Sequence, residues 1–180
     1  MKKLLVVVDY QNDFVDGALG FAGAETLEPG ICAAVESTLA GGGFVLFTRD
    51  THPEQYLATR EGRFLPVPHC IEGSEGHHLY GALRQYELQL PAGVQLLNKE
   101  GFGSPDIGTQ AVALCGGEPD EVTLCGLVTD ICVVCNAIIL HSQLPHAAIR
   151  VQAELCGSAN AEGTAHALAL LRGLGIEITD

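Results

Sequence analysis

Positive charge is scarce in this sequence of 180 residues. Lysine and arginine together number nine, against 22 aspartates and glutamates, and the formal net charge is −13 at pH 7. The basic residues are scattered, and no basic run is longer than Lys2-Lys3. Because so acidic a surface repels phosphate groups, we expect no nucleic-acid partner.

Long apolar runs are also lacking. A membrane-spanning helix needs roughly 18 consecutive apolar residues, and no run here approaches that length. The start, MKKLLVVVDYQNDF, resembles a signal peptide, but its apolar run stops at Asp9 and no small-residue cleavage site follows. We therefore expect a cytoplasmic protein with no membrane partner. Seven cysteines, an odd number, favour reduced thiols over a disulfide framework.

Linkers, low-complexity tracts and internal repeats are absent too. With 47% hydrophobic and 17% charged residues, the composition is that of a compact globular protein. The length suits one domain with a sizeable core, so we expect a single domain over residues 1–180.

Short apolar runs recur along the chain and are nearly continuous instead of alternating. They cover residues 4–8, 44–48, 94–97, 122–125, 147–151 and 176–178. Strands of this kind are usually covered on both faces, as in a parallel sheet. Helical patterns lie between them, at residues 28–40, from Ser104-Pro105, at 130–143 and at 160–173. This alternation predicts a doubly wound α/β fold.

Polar groups follow several of the predicted strands. In open α/β sheets, sites form beyond the carboxyl ends of the strands. Asp9, Asp50, Asn98-Lys99 and residues 126–132 all lie at such ends. Residues 50–77 show no strong hydrophobic period, as in an irregular connection, and long irregular connections are often functional. His77 and His78 are expected to be exposed loop residues.

The stretch GLVTDICVVCNA contains Cys132 and Cys135 in a C-x-x-C spacing. With Asp130 as N-cap, Cys132 lies in the first turn of a helix, where the dipole lowers a thiol pKa. Cys135 lies almost a turn deeper, among apolar residues. No second C-x-x-C completes a four-cysteine zinc site. A redox or zinc pair, inert packing, and a nucleophile at Cys132 all remain open.

A cysteine nucleophile needs a proton acceptor and a group that stabilises the thiolate. Asp9, at the end of the first strand, could accept the proton, and the Lys99 ammonium could hold both anions. The alternatives are a loop cap for Asp9 and a solvated side chain for Lys99.

A metal site is a further candidate. Asp50 and His52 are two residues apart, so in an extended segment both point the same way. His69 could return to them across the proline-rich loop. One carboxylate and two imidazoles suit Zn²⁺, Fe²⁺ or Mn²⁺ with positions left open. Cys70 is left out, because adjacent residues seldom both reach one ion.

Five motifs, in this order, resemble those of the isochorismatase-like cysteine hydrolases, and most closely the nicotinamidase branch. They are VVVDYQNDF, TRDTHP, PHC, NKEGF and GLVTDICV. The resemblance runs from residue 4 to about residue 178. It implies a three-layer α/β/α fold with a six-stranded parallel sheet in the order 3-2-1-4-5-6. It also implies assembly as a homodimer or homotetramer.

The resemblance assigns roles to the candidate residues. Asp9, Lys99 and Cys132 match the catalytic triad. Asp50, His52 and His69 match the ligands of one divalent transition metal, zinc, iron or manganese. A cis peptide is implied at Val128–Thr129, where it would turn a backbone N–H toward the substrate carbonyl. Phe14 and Phe102 match the substrate-pocket walls.

The activity that the resemblance implies is hydrolysis of a small amide through a cysteine thioester, with nicotinamide as the first candidate. Nicotinamidases commonly carry a tryptophan before the His-Cys pair, whereas this chain has no tryptophan and Leu65 stands in that region. Another small amide, or an N-carbamoyl or ureido compound, therefore remains an alternative substrate. A non-catalytic relative is the third hypothesis.

Overall fold

The computed structural model describes residues 1–179, which form a sheet of six parallel strands. The strands are β1 (Lys3–Val8), β2 (Phe44–Asp50), β3 (Val94–Lys99), β4 (Glu121–Leu127), β5 (Ala148–Gly157) and β6 (Glu177–Thr179). Their order is β3-β2-β1-β4-β5-β6, which confirms the implied topology. All of the predicted strands are present, and several extend further toward their carboxyl ends.

Helices cover both faces of this sheet. In the described part of the chain the α-helices are α1 (Asn12–Val15), α2 (Glu28–Ala40), α3 (Arg60–Phe64), α4 (Gln85–Leu88), α5 (Ile107–Cys115), α6 (Val134–Gln143) and α7 (Ala161–Gly173). Tight 3₁₀ turns occupy Ala24–Leu27, Tyr56–Ala58, Glu75–His77 and Gly81–Arg84. The predicted single-domain, three-layer α/β/α architecture is therefore confirmed.

Strand β1 lies in the middle of the sheet and contributes side chains to the hydrophobic cores on both of its faces. Val6 and Val8 point into a core shared with α5, α6 and α7. Leu5 and Val7 point to the opposite core, shared with α1 and α2. Successive side chains of a strand face opposite ways, so a strand buried on both faces needs a continuous apolar run. This explains why the run at 4–8 does not alternate.

Two helix starts differ from the prediction. Helix α5 begins at Ile107, because the Ser104 hydroxyl accepts the Asp106 N–H in a turn that precedes the helix. Residues Thr129–Val133 form a π-helical turn before α6, with Val128 and not Asp130 at its N-cap. The Val128 carbonyl accepts N–H groups from both Ile131 and Val133, at 3.2 Å each, which widens the turn.

The segment 50–77 is folded onto the carboxyl edge of the sheet. It contains α3 and two of the tight turns, and its far end returns to pair His52 with Ile71. This return brings distant parts of the segment together above β2. Within residues 1–179, no helix is both long and apolar enough to cross a bilayer.

Candidate active site

The carboxyl ends of strands β1, β3 and β4 bring Asp9, Lys99 and Cys132 together. Lys99 is the last residue of β3, and its Nζ lies 2.6 Å from Asp9 Oδ2 and 3.7 Å from Cys132 Sγ. The Asp9 and Lys99 side chains are 0% and 1% exposed. The solvated alternative for Lys99 is therefore wrong, because its ammonium is buried between anionic partners.

Asp9 is held rigidly from the side of β2. The Thr48 hydroxyl donates to Asp9 Oδ1 at 2.7 Å, and the Asp9 N–H donates to the Thr48 carbonyl at 3.2 Å. Asp9 has a φ of 45°, in the left-handed region that aspartate tolerates better than most residues. Beside it, a Cβ at Gly126 would overlap the Val8 carbonyl, so β4 needs a glycine to approach β1 closely. These contacts aim the carboxylate at Lys99.

Burial controls the protonation of this cluster. Burial, supported by the charge of Asp50, raises the pKa of Asp9 despite the opposing Lys99. Burial also raises the pKa of the Cys132 thiol well above its usual range, again against the effect of Lys99. The expectation of a thiol with a lowered pKa is wrong, since Cys132 is only 3% exposed and desolvation disfavours the thiolate. The resting thiol therefore needs a base, and a carboxylate with a raised pKa suits that role.

Lys99 remains charged in this environment. Burial disfavours its ammonium, but the facing Asp9, Cys132 and Asp50 raise its pKa well above the ordinary lysine value. The Nζ also donates to the Gly101 carbonyl at 3.0 Å and to Asp50 Oδ1 at 3.2 Å. One ammonium thus holds the base, the thiol and a second carboxylate in one cluster.

The backbone before Cys132 contains a cis peptide, but at Leu127–Val128 and not at Val128–Thr129. None of these residues is proline, so composition carries no signal that could place the bond. Val128 borders the cavity beside Cys132. Thr129 is 1% exposed, and its hydroxyl has no hydrogen-bond partner among the described residues.

A second cluster lies beside the first and contains all three predicted metal ligands. His52 Nε2 and His69 Nε2 lie 2.9 Å and 3.3 Å from Asp50 Oδ2. Glu61 joins them, with Oε1 at 3.5 Å from His52 Nε2 and 3.7 Å from His69 Nε2. One ligand atom from each of the four residues lies within 4.8 Å of the others. The donor set is thus two imidazoles and two carboxylates.

The four donors fit a divalent transition metal. His52 Nε2 is buried and makes no hydrogen bond of good geometry with the described residues, although it lies 2.9 Å from Asp50 Oδ2, so it points into the space that the two carboxylates share. His69 Nδ1 lies 2.8 Å from the Val67 carbonyl, an arrangement that leaves Nε2 free to bind. Burial lowers the pKa of His52, but the contacts with Asp50 and Glu61 outweigh it and raise the pKa to about 9. A cation would neutralise this concentration of negative charge.

Glu61 was not predicted. It lies in the first turn of α3, where the Thr59 hydroxyl caps the helix by accepting the Gly62 N–H at 2.9 Å. A Cβ at Gly62 would overlap the Tyr56 carbonyl, so α3 packs directly on the preceding turn. The segment also carries other acidic residues, and the sequence alone does not distinguish Glu61 from them.

Tyr56 lies behind both histidines. Its ring centroid is 4.7 Å from that of His52 and 5.0 Å from that of His69, and its hydroxyl donates to the Leu65 carbonyl at 2.9 Å. Burial, with the charges of Glu61 and Asp50, raises its pKa to about 12, so the phenol remains a neutral donor. Tyr56 therefore supports two candidate ligands, His52 and His69, and the segment that carries another, Glu61.

The two clusters border one cavity of about 270 Å³. Asp50, Glu61 and His69 line one part of it, and Cys132 lines another. Apolar side chains form the walls: Phe14, Leu19, Phe21, Leu65, Phe102, Val128 and Ile131. The structure thus places Phe14 and Phe102 where they were predicted, and adds Leu19, Phe21 and Ile131. No lysine or arginine is among the lining residues.

Comparison with known proteins identifies the architecture that carries this cavity. The isochorismatase domain model matches residues 3–180. The chain belongs to the isochorismatase family. It is 32% identical over 190 residues to the isochorismatase family protein PncA of Bacillus subtilis (strain 168), covering 100% of both chains.

Solved structures of nicotinamidases share the fold along nearly the whole length. The nicotinamidase/pyrazinamidase PncA of Bacillus subtilis superposes with a TM-score of 0.89 at 30% identity, covering 100% of each chain. The pyrazinamidase/nicotinamidase of Streptococcus mutans UA159 gives 0.81 at 27% identity, covering 98% of this chain and 99% of that one. These relatives confirm the resemblance seen in the motifs.

In this isochorismatase-family chain, Gln11 connects the first motif to β2, the strand that ends in the candidate ligand Asp50. Its side chain accepts the Asp50 N–H at 2.7 Å and donates to the carbonyls of Asp50 and His77, at 2.9 and 2.8 Å.

His77 is buried at 4% exposure, with Nε2 2.9 Å from the Thr51 hydroxyl, and the partly buried His78 lies 2.7 Å from Glu87. The expectation that both histidines are exposed is wrong, because the loop folds back on β2.

Proposed function

We propose that this protein hydrolyses nicotinamide to nicotinate and ammonia, with Cys132 as the nucleophile. The observation that supports it is the cluster of Cys132, Lys99 and Asp9 at a small apolar cavity whose other side holds four candidate metal ligands. The predicted enzyme class, an amidohydrolase, is confirmed by the family model and by the nicotinamidase relatives.

The proposed reaction begins with transfer of the Cys132 proton to Asp9. The resulting thiolate, paired with the Lys99 ammonium, attacks the amide carbon. The backbone N–H groups of Val128 and Cys132 are the proposed donors to the oxyanion, and losing such a donor typically costs about 3–4 kcal/mol of barrier. Asp9 then protonates the departing nitrogen, which leaves as ammonia, and a thioester remains on Cys132.

Water completes the turnover. Asp9 accepts a proton from water, and the hydroxide attacks the thioester carbon. The bond to sulfur breaks, the acid product forms, and the proton returns to Cys132. The closely packed Thr48 and Lys99 keep Asp9 in position for both half-reactions.

We further propose that Asp50, His52, Glu61 and His69 hold one zinc, iron or manganese ion. When bound, the ion supplies a Lewis-acid contact for a ring nitrogen or for a water molecule beside it. Asp50, Glu61 and His69 line the polar end of the cavity, while the apolar walls exclude water from the ring.

Metal content is expected to depend on Glu61. Purified wild-type protein should carry close to one transition-metal ion per chain, and Glu61→Gln should bind the ion about tenfold or more weakly, because it loses a charged ligand. Competition with a chelator, followed by elemental analysis, measures both. Glu54→Gln, an exposed glutamate of the same segment, is the matched control. Equal affinity in Glu61→Gln and wild type would remove Glu61 from the site.

The cavity favours an uncharged carboxamide over an anionic carbamoyl or ureido acid. Three acidic residues line it, Asp50, Glu61 and Asp130, and no lysine or arginine does. Even with one divalent cation bound, the formal charge of these three carboxylates is not fully neutralised, so a substrate carboxylate would be desolvated there without a free countercharge, which is costly. Aromatic walls instead suit a flat, neutral ring.

A panel of amides tests this selectivity. Ammonia release from nicotinamide should exceed that from benzamide, which has the same shape without the ring nitrogen, and that from an N-carbamoyl amino acid should be lowest. Faster turnover of the carbamoyl acid would replace nicotinamide by the alternative substrate class. A homodimer or homotetramer stays a prediction from the resemblance, and a cytoplasmic location stays a prediction from the sequence pattern.

A further inference from the structure

Asn136 is a fully buried polar residue of α6, at 0% exposure. Its amide makes three hydrogen bonds, all to backbone groups around the cavity. Nδ2 donates to the Cys132 carbonyl at 2.9 Å and to the Phe102 carbonyl at 3.2 Å. Oδ1 accepts the Ser104 N–H at 3.0 Å. One side chain therefore joins the nucleophile's turn to the loop that carries a cavity wall.

The loop containing Phe102 lies tightly against the same helix. A Cβ at Gly103 would come within 2.6 Å of Ile139 Cδ1 and 3.1 Å of Cys135 Cβ, so a larger residue would require Ile139 and the loop to shift. Cys135 thus packs beneath the loop, as expected of a small apolar residue. On the other side, Lys99 Nζ holds the Gly101 carbonyl.

Phe102 is the side chain that this arrangement presents. Its backbone is tied to α6, but the residue is 40% exposed. Phe102 borders both the 270 Å³ cavity and an outer groove of about 470 Å³ on the other side of Glu61. Because the Phe102 side chain is partly exposed, its position in the cavity wall depends on the hydrogen bonds that hold its backbone.

We propose that Asn136 is a positioning residue that sets the distance between the Phe102 wall and the Cys132 sulfur, and so controls substrate binding. The inference rests on the proposed amidase function. A merely structural Asn136 would lower stability when replaced, but would leave the kinetics of the folded enzyme unchanged.

Asn136→Ser is the most informative variant. A serine in α6 can still donate to the carbonyl four residues earlier, as Ser142 does to Ile138 at 2.8 Å. It therefore retains a bond to Cys132 but is too short to hold Phe102 and Ser104. We expect KM for nicotinamide to rise about tenfold with kcat changed less than about threefold, the equivalent of one or two hydrogen bonds. Ser142→Ala, in the same helix, is the control and should leave both constants unchanged.

A double-mutant cycle tests whether the effect passes through Phe102. If Asn136 acts by placing that ring, Asn136→Ser should leave KM unchanged in a Phe102→Ala background. An equal rise in KM in both backgrounds, or no rise in either, would overturn the proposal.

Hydrogen exchange provides a readout that needs no turnover. The amides of residues 101–104 should exchange at least about tenfold faster in Asn136→Ser than in wild type or Ser142→Ala, because Ser104 loses its acceptor. If these amides exchange at an unchanged rate and nicotinamide is still hydrolysed, the role of Asn136 is refuted, whereas the proposed function is not. Faster exchange in a protein that releases no ammonia from nicotinamide refutes the proposed substrate and leaves the role of Asn136 in the loop supported.

Discussion

Cys132→Ala is expected to abolish ammonia release from nicotinamide, with kcat reduced by about 10⁴-fold or more. The variant retains the cavity and Lys99 but lacks the atom that forms the thioester. The thermal midpoint should change little, because the substitution removes only one small buried group. Ammonia production in a coupled assay measures the loss, and mass spectrometry of acid-quenched wild type should detect the acyl-enzyme.

The matched control is Cys32→Ala, a partly buried cysteine of α2 on the opposite face of the sheet. It should retain wild-type turnover. If Cys132→Ala were as active as Cys32→Ala, the covalent route would be wrong, and direct attack by water would have to replace it.

Asp9→Asn should have the second largest effect, lowering kcat by about 10³-fold or more. The amide has the size of the carboxylate but cannot accept the thiol proton. Lys99 keeps Asp50 as a partner at 3.2 Å, so the fold should survive. Asp106→Asn, an exposed aspartate, is the matched control for the substitution.

The pH profile distinguishes a base from a merely structural carboxylate. Burial raises the pKa of Asp9, and the base acts only when deprotonated. Wild-type kcat/KM should therefore fall as the pH is lowered through that raised pKa, at a higher pH than an ordinary aspartate would give. The residual activity of Asp9→Asn should lack this acidic limb. An unchanged limb in Asp9→Asn would assign it to another group and remove Asp9 as the base.

The pattern of apolar runs and helical periods along the chain was sufficient for the fold class. Continuous apolar runs mark strands that are buried on both faces, and helical periods between them require parallel crossovers. The same local logic places Asp9, Asp50 and Lys99 at strand ends, which meet at one edge of a parallel sheet. The motifs added the strand order and the pairing of these groups with Cys132.

Other features depend on contacts between distant segments. Glu61 reaches the histidines only because α3 packs on the Tyr56 turn, and His77 is buried only because the loop returns to β2. The raised pKa of Cys132 reflects complete desolvation, which outweighs the position near a helix start on which the sequence argument relied.

The amino-acid order by itself determined which chemical groups exist and which strand end carries each, because hydrophobic period and chain direction are local properties. Only the tertiary structure decided the fourth candidate ligand, the protonation of the thiol, the place of the cis peptide and the link through Asn136. Those depend on burial and on distances between residues that are far apart in the chain, and local sequence determines neither of these quantities.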